Sequence, residues 1–264
     1  MRVCIFGSGG MLGRYVSNYL KNYDTIEVTR KDLDVSECDM TKISNFIDIH
    51  GGLYTNDVIV NCAGLIKQKM SPGDDVKAIR VNSVFPRLLQ DYSSQRKINF
   101  IHISTDCVFS GKKGDYLETD TPDPEDMYGI TKLAGEPEGC MVIRTSVIGE
   151  GDFKGSLLEW VKGQKEINGY TNHFWNGVTC HQLAKEIGKI IKGEKWYGLR
   201  HYFSSPVTKA ELVRDIAKVY GLDIKITDVE APVKVDRTLN TIYKGAFDYP
   251  PDIRTQLKEQ CLGT

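Results

Sequence analysis

Tyr128 and Lys132 stand four residues apart in Tyr128-Gly129-Ile130-Thr131-Lys132, a spacing that puts both side chains on one face of a helix. A phenol with an ordinary pKa of about 10 exchanges protons poorly at neutral pH, and a neighbouring ammonium eases that exchange. Tyr-x-x-x-Lys alone is common on solvated helix faces. Its weight here comes from the preceding segment, where the apolar run Phe100-Ile101-His102-Ile103 ends in Ser104-Thr105-Asp106. Two hydroxyls and a carboxylate then stand at the carboxyl end of a strand, the edge at which open α/β sheets bind ligands. The chemistry within reach is proton donation and hydrogen bonding to a polar centre.

A second group would hold a cofactor. Gly7-Ser8-Gly9-Gly10-Met11-Leu12-Gly13 follows a short apolar strand and opens a helix. Glycines at 7, 10 and 13 allow a sharp turn, close approach to a pyrophosphate and tight helix–strand packing, with the helix N-terminus facing the phosphates. The end of the second strand reads Thr29-Arg30-Lys31, where NAD sites usually carry an acidic residue for the ribose 2′-hydroxyl. Guanidinium and ammonium groups suit a 2′-phosphate, so NADP(H) is the preferred cofactor and NAD(H) the alternative; solvated surface charge is the plain reading of the same residues.

The elements needed to position these groups are legible in the first half. Apolar runs at 3–6, 26–29, 57–62, 99–104 and 141–144 read as strands, and 11–20, 75–92 and 128–136 as helices. Strands alternating with helices imply a Rossmann-like, doubly wound parallel α/β sheet, since each parallel crossover needs a helix. Residues 1–149 form the expected dinucleotide-binding part. Residues 150–264 form a smaller mixed α/β substrate-binding lobe whose last elements partly return to the main sheet. Helices are expected there at 156–163, 180–192 and 208–220, the last opened by the capping box Thr208-Lys209-Ala210-Glu211. The aromatic and Asn-rich stretch 170–179 reads as a functional loop.

Bulk composition narrows the function classes. Hydrophobic content of 41% and charged content of 26% over 264 residues fit a globular domain with an ample core. A net charge of -1 offers no case for nucleic acid or an anionic membrane as main partner. No apolar run approaches the roughly 20 residues that span a bilayer, and the first apolar run stops at glycine too early for a secretory signal. The seven scattered cysteines lack zinc-ligand spacing, so reduced thiols and a cytoplasmic location are expected, with no metal.

The motifs together resemble extended short-chain dehydrogenases, and within them the dTDP-4-dehydrorhamnose reductases. The residues that carry the likeness are the glycine turn, Ser104-Thr105-Asp106-x-Val108-Phe109-x-Gly111 and Tyr128-x-x-x-Lys132-x-x-Gly135-Glu136, with Arg80-Val81-Asn82 and Arg144-Thr145-Ser146. The likeness is dense to Gly149 and looser beyond. It implies that Thr105 hydrogen-bonds a substrate ketone, Tyr128 gives the proton as hydride arrives, and Lys132 binds the nicotinamide ribose and tunes Tyr128. It further implies that the cofactor lies along Gly7, Gly10, Met11 and Leu12, with Asp34 and Val35 bordering adenine and Arg30 near the ribose. Cys62, Ala63 and Gly64 would pass its adenosine side, and Asn82 would support a water relay behind the lysine. Asp106 would position substrate or backbone. The implied reaction is reduction of the C4 ketone of a nucleotide-linked 4-keto-6-deoxy sugar, the enzyme often a homodimer.

In the lobe, Trp175 within Asn172-His173-Phe174-Trp175-Asn176-Gly177 either stacks on a substrate ring or anchors an ordered loop. Arg237 and Lys234 either meet a diphosphate or are solvated. Competing functions share the fold. Nucleotide-sugar 4,6-dehydratases resemble one another in placing Glu after the Thr-Asp pair, where this chain has Cys107. An epimerase that oxidises and re-reduces C4 needs no such acid. The regulatory beta subunit of methionine adenosyltransferase resembles the same reductases and binds a partner instead.

Overall fold

The computed structural model describes residues 1–151, 155–193 and 196–262. The chain opens with β1 (Arg2–Phe6), α1 (Met11–Tyr19), β2 (Asp24–Val28), α2 (Met40–Ile49) and β3 (Val58–Asn61). There follow α3 (Asp75–Ile79), a π turn (Arg80–Val84), α4 (Phe85–Arg96), β4 (Asn99–Thr105), α5 (Met127–Ala134), β5 (Met141–Thr145) and β6 (Val147–Ile148). Next come α6 (Leu157–Lys162), β7 (Glu166–Tyr170), β8 (His173–Trp175), β9 (Val178–Thr179) and α7 (Cys180–Lys192). They are followed by β10 (Gly198–His201), β11 (Val207–Thr208), α8 (Lys209–Val219), β12 (Lys225–Val229), β13 (Val235–Asp236) and α9 (Ile253–Leu262).

Six strands form a parallel sheet in the order β10-β5-β4-β3-β1-β2. Alternate side chains feed two cores, because helices cover both faces. Val3, Ile5, Val58, Val60, Ile101, Ile103 and Ile143 meet Leu12 and Val16 of α1 and Leu183 and Ile187 of α7. Cys4, Phe6, Ile59, Phe100 and Val142 meet Ile43 and Ile47 of α2 and Phe85, Leu89 and Tyr92 of α4. Strand order reverses between β1 and β3, and crevices at such a reversal are where these sheets take ligands. The lobe has its own core of Leu158, Val161, Ile167, Trp175, Leu212, Ile216 and Leu257.

Two expectations need correction. The single helix over 75–92 is two α segments joined by the π turn, which widens the helix where Asn82 turns inward. The stretch 170–179 is no loop: it holds the end of β7 with β8 and β9, and Asn172 is tied to the chain at Ala231 through both ends of its amide. The cap at Thr208 forms with both of its reciprocal bonds to Glu211. No helix among the described residues is long and apolar enough to cross a membrane.

Candidate active site

The site begins at the last residue of β4. Thr105 leaves the strand extended, and its hydroxyl caps the next turn by accepting from the Cys107 amide at 3.2 Å. It also donates to Asp106 Oδ1 at 3.2 Å. Helix α5 starts on Asp126, whose carboxylate accepts from the Gly129 amide at 2.8 Å. Any side chain at Gly129 would strike the Cys107 carbonyl, so the glycine lets α5 sit directly on the turn after β4. That contact sets the Tyr128 phenol close to Thr105.

One helical turn on, Lys132 is buried and its Nζ donates to the Ile103 carbonyl at 2.7 Å. Burial pulls its pKa down to about 8, against the opposing pull of Glu136 and Cys62. Burial also pushes the Tyr128 phenol well above its ordinary value, with the charges of Cys107, Asp106 and Asp126 adding to the rise. The Lys132 ammonium is held by the strand backbone, one helical turn from the phenol. Tyr128 is a firmly protonated phenol, the state a proton donor must hold.

Asp106 is buried behind Thr105. Burial raises its carboxyl above the usual range, while Arg237 and Lys209 pull the other way. Ser146 lies beside it, and the Ser146 hydroxyl accepts from Trp175 Nε1 at 2.8 Å. Trp175 itself is only 6% exposed and packs in the lobe core. It is a buried anchor, and the stacking alternative for it is not supported. The Lys209 ammonium sits 5.2 Å above its ring.

Arg237 donates through Nε to the Phe109 carbonyl at 2.9 Å, which holds it beside Asp106. Lys234 does not join it: that side chain is exposed, 3.9 Å from Asp236 and over the Phe174 ring. The second cation at the site is Lys209, at the start of α8. Sequence reading missed it because its four-residue string was fully explained as a helix cap. Beneath the site, Arg144 grips Glu136 through two bonds of 2.8 and 2.7 Å, and Glu136 also accepts from Ser104 at 2.6 Å.

The dinucleotide positions gather at the β1/β3 reversal. Gly7 has φ +79°, and a Cβ there would lie 2.7 Å from the Ala63 amide nitrogen, so only glycine lets the turn and the 62–64 segment touch. A Cβ on Gly13 would collide with the Gly7 carbonyl, so α1 points its N-terminus straight at the turn. This glycine cradle fits a pyrophosphate. Gly10 and Gly64 are exposed and Met11 half-buried at this turn, whereas the Leu12 side chain is in the core. Arg30 pairs with Asp34 at 3.0 Å, and Val35 is half-buried beside them. Asn82 is fully buried. Its amide bonds both backbone groups of Leu65 (2.8 and 2.9 Å) and the Thr131 hydroxyl (3.1 Å). These bonds clamp the segment after β3 to α5.

The sequence matches the family model "RmlD substrate binding domain" over residues 1–242. The chain belongs to that family. Among relatives of the RmlD substrate binding domain family, dTDP-4-dehydrorhamnose reductase of Aggregatibacter actinomycetemcomitans is 31% identical, over 78% of this chain and 74% of that protein. A Haloferax volcanii protein named "Probable low-salt glycan biosynthesis reductase Agl14" is 32% identical over 90% and 86%. The crystal structure of dTDP-4-dehydrorhamnose reductase from Bacillus anthracis in complex with NADP superposes with a TM-score of 0.83 at 20% identity, covering 100% of this chain and 99% of that one. This last likeness speaks to the fold, and it extends through the lobe as well as the sheet.

Proposed function

We propose that this chain is an NAD(P)H-dependent reductase of the C4 ketone of a nucleotide-linked 4-keto-6-deoxy sugar, with NADPH the preferred reductant. The observation that carries the reading is the junction of Thr105 with Tyr128 at the carboxyl end of β4, with the buried Lys132 one turn away. The dihydronicotinamide, when bound, supplies the hydride. The Thr105 hydroxyl turns to the ketone oxygen, and Tyr128 delivers its proton to the same oxygen as it becomes an alkoxide. Lys132 binds ribose hydroxyls, and Arg237 with Lys209 faces the diphosphate. Two relatives of similar sequence carry 4-ketoreductase names, dTDP-4-dehydrorhamnose reductase and, over a shorter stretch, the dTDP-4-keto-6-deoxy-D-glucose reductase of Streptomyces niveus.

Cys107 argues against dehydration. Burial pushes its thiol up to about 12, far from the range of an acid that assists water elimination near neutral pH. The deciding experiment follows NADPH and NADH absorbance with purified protein and a panel of dTDP-, UDP- and GDP-linked 4-keto-6-deoxy sugars. Oxidation with one of them is expected. Product formed without net cofactor consumption would make the protein an epimerase instead. Cofactor binding with neither outcome would leave a partner-binding role.

A further inference from the structure

A cavity of about 400 Å³ opens where the turn after β2 faces α3 and the π turn. Its wall includes Arg30, Asp34 and Glu37 from the β2 side, and Val76, Lys77 and Arg80 from the helix side. The place matters. The Val28 carbonyl at the end of β2, two residues before Arg30, accepts the amides of Gly7 (2.9 Å) and Ser8 (3.2 Å), which ties the strand end to the glycine turn. A dinucleotide seated on that turn lays its adenosine ribose at the end of the second strand.

The wall carries three cations, Arg30, Lys77 and Arg80, against two carboxylates, Asp34 and Glu37, a balance that favours a phosphate. Asp32 is folded back on Thr29, accepting from its amide (2.9 Å) and its hydroxyl (2.6 Å). Asp34 is engaged by the Ser36 amide and hydroxyl and by Arg30 Nε at 3.0 Å. On the opposite wall, the side chains of Lys77 and Arg80 make no hydrogen bond or ion pair among the described residues. Three apart on a helical turn, they share one side. Val76 beside them is 66% exposed and offers an apolar face to a base.

We propose that Lys77 and Arg80 complete, with Arg30, the pocket for an adenosine 2′-phosphate. The phosphate is then held from two elements, the β2 turn and the helix across the cavity, rather than from β2 alone. Preference for NADPH over NADH is set largely by the helix, because Arg30 already has a carboxylate partner while the helix cations have none. This inference rests on the dinucleotide reading above and goes beyond it by naming the specificity residues.

The test is calorimetric titration of the full chain with NADPH and with NADH. Lys77→Gln/Arg80→Gln is expected to weaken NADPH by about tenfold or more while NADH changes by less than about twofold. Lys77→Arg/Arg80→Lys, which keeps both charges, is expected to restore most of the NADPH affinity. Unchanged NADPH affinity in the Gln variant, or equal loss for both dinucleotides, would overturn the proposal, with retained NADH binding in wild type showing that the dinucleotide site itself stands. Wild-type protein that binds neither dinucleotide would sink the underlying reading as well.

Discussion

The Thr105 hydroxyl lies 3.2 Å from Asp106 Oδ1 and donates to it, while its oxygen accepts from the Cys107 amide, also at 3.2 Å, with the Tyr128 phenol close by. A hydroxyl has one proton to give. That proton has two claimants, Asp106 and an incoming ketone, so substrate binding must redirect it. Tyr128, which keeps its own proton, is free to follow. Thr105→Val removes the donor and keeps the shape. Its kcat is expected to fall about 100-fold with dinucleotide affinity unchanged, and Thr105→Ser is expected to recover most of the loss. Steady-state kinetics beside a cofactor titration reads both.

Tyr128→Phe deletes only the phenolic oxygen. Because burial holds that phenol protonated, its loss removes the proton donor and leaves packing intact. Turnover is expected to drop by about 10² to 10⁴ while NADPH still binds. Comparable turnover in the variant would show that another group supplies the proton.

Lys132 sets the alkaline limit. Its pKa is lowered to about 8, so the ammonium that binds ribose is present below that pH and lost as pH rises through it. The kcat/KM of the free enzyme is therefore expected to decline above about pH 8. The stability sign is opposite. A lysine depressed in the fold carries a cost below about pH 8, and that cost disappears as pH rises toward its unfolded value near 10.5. Urea titrations should show this contribution growing more favourable over the interval in which activity fades.

How much of this was legible beforehand depends on how local each signal is. The sheet strands of the first half announce themselves because both faces are buried, so each reads as an unbroken apolar run such as Val58-Ile59-Val60. The glycine turn and the Thr105, Tyr128 and Lys132 set are contiguous strings with their chemistry on display. Edge strand β10, half-buried Gly198-Leu199-Arg200, has no such run and was missed. So was α2, where only Ile43 and Ile47 are fully buried along ten residues. Lys209 and Ser146 reach the site only through tertiary contacts with Asp106, which no spacing along the chain encodes.

Glu136 supports the site from below. Its side chain is 13% exposed and that of Arg144 only 4%, and breaking a buried pair leaves an uncompensated charge. Glu136→Gln is expected to cost about 3 kcal/mol, measured by urea unfolding at neutral pH. It has a second consequence that a purely structural residue would not show. Glu136 raises the pKa of Lys132, so removing its charge should move the alkaline limb of kcat/KM to lower pH. An unmoved limb would confine Glu136 to stability.

Lys209 tests the substrate side. Burial lowers its pKa, Asp106 opposes that shift, and its ammonium rests over Trp175 without a hydrogen bond or ion pair among the described residues. An ammonium held in a crevice without such partners is poorly solvated and gains more than a surface lysine does from an arriving anion. Lys209→Met keeps the aliphatic stem against the indole and removes the charge. The KM for a nucleotide-linked sugar is expected to rise about tenfold, with kcat and NADPH affinity little changed, because the residue touches neither the ketone nor the glycine turn. Binding of the free nucleoside diphosphate should weaken in parallel. A fall in kcat at constant KM would instead place Lys209 in the control of Asp106, acting through Thr105 on the reacting oxygen.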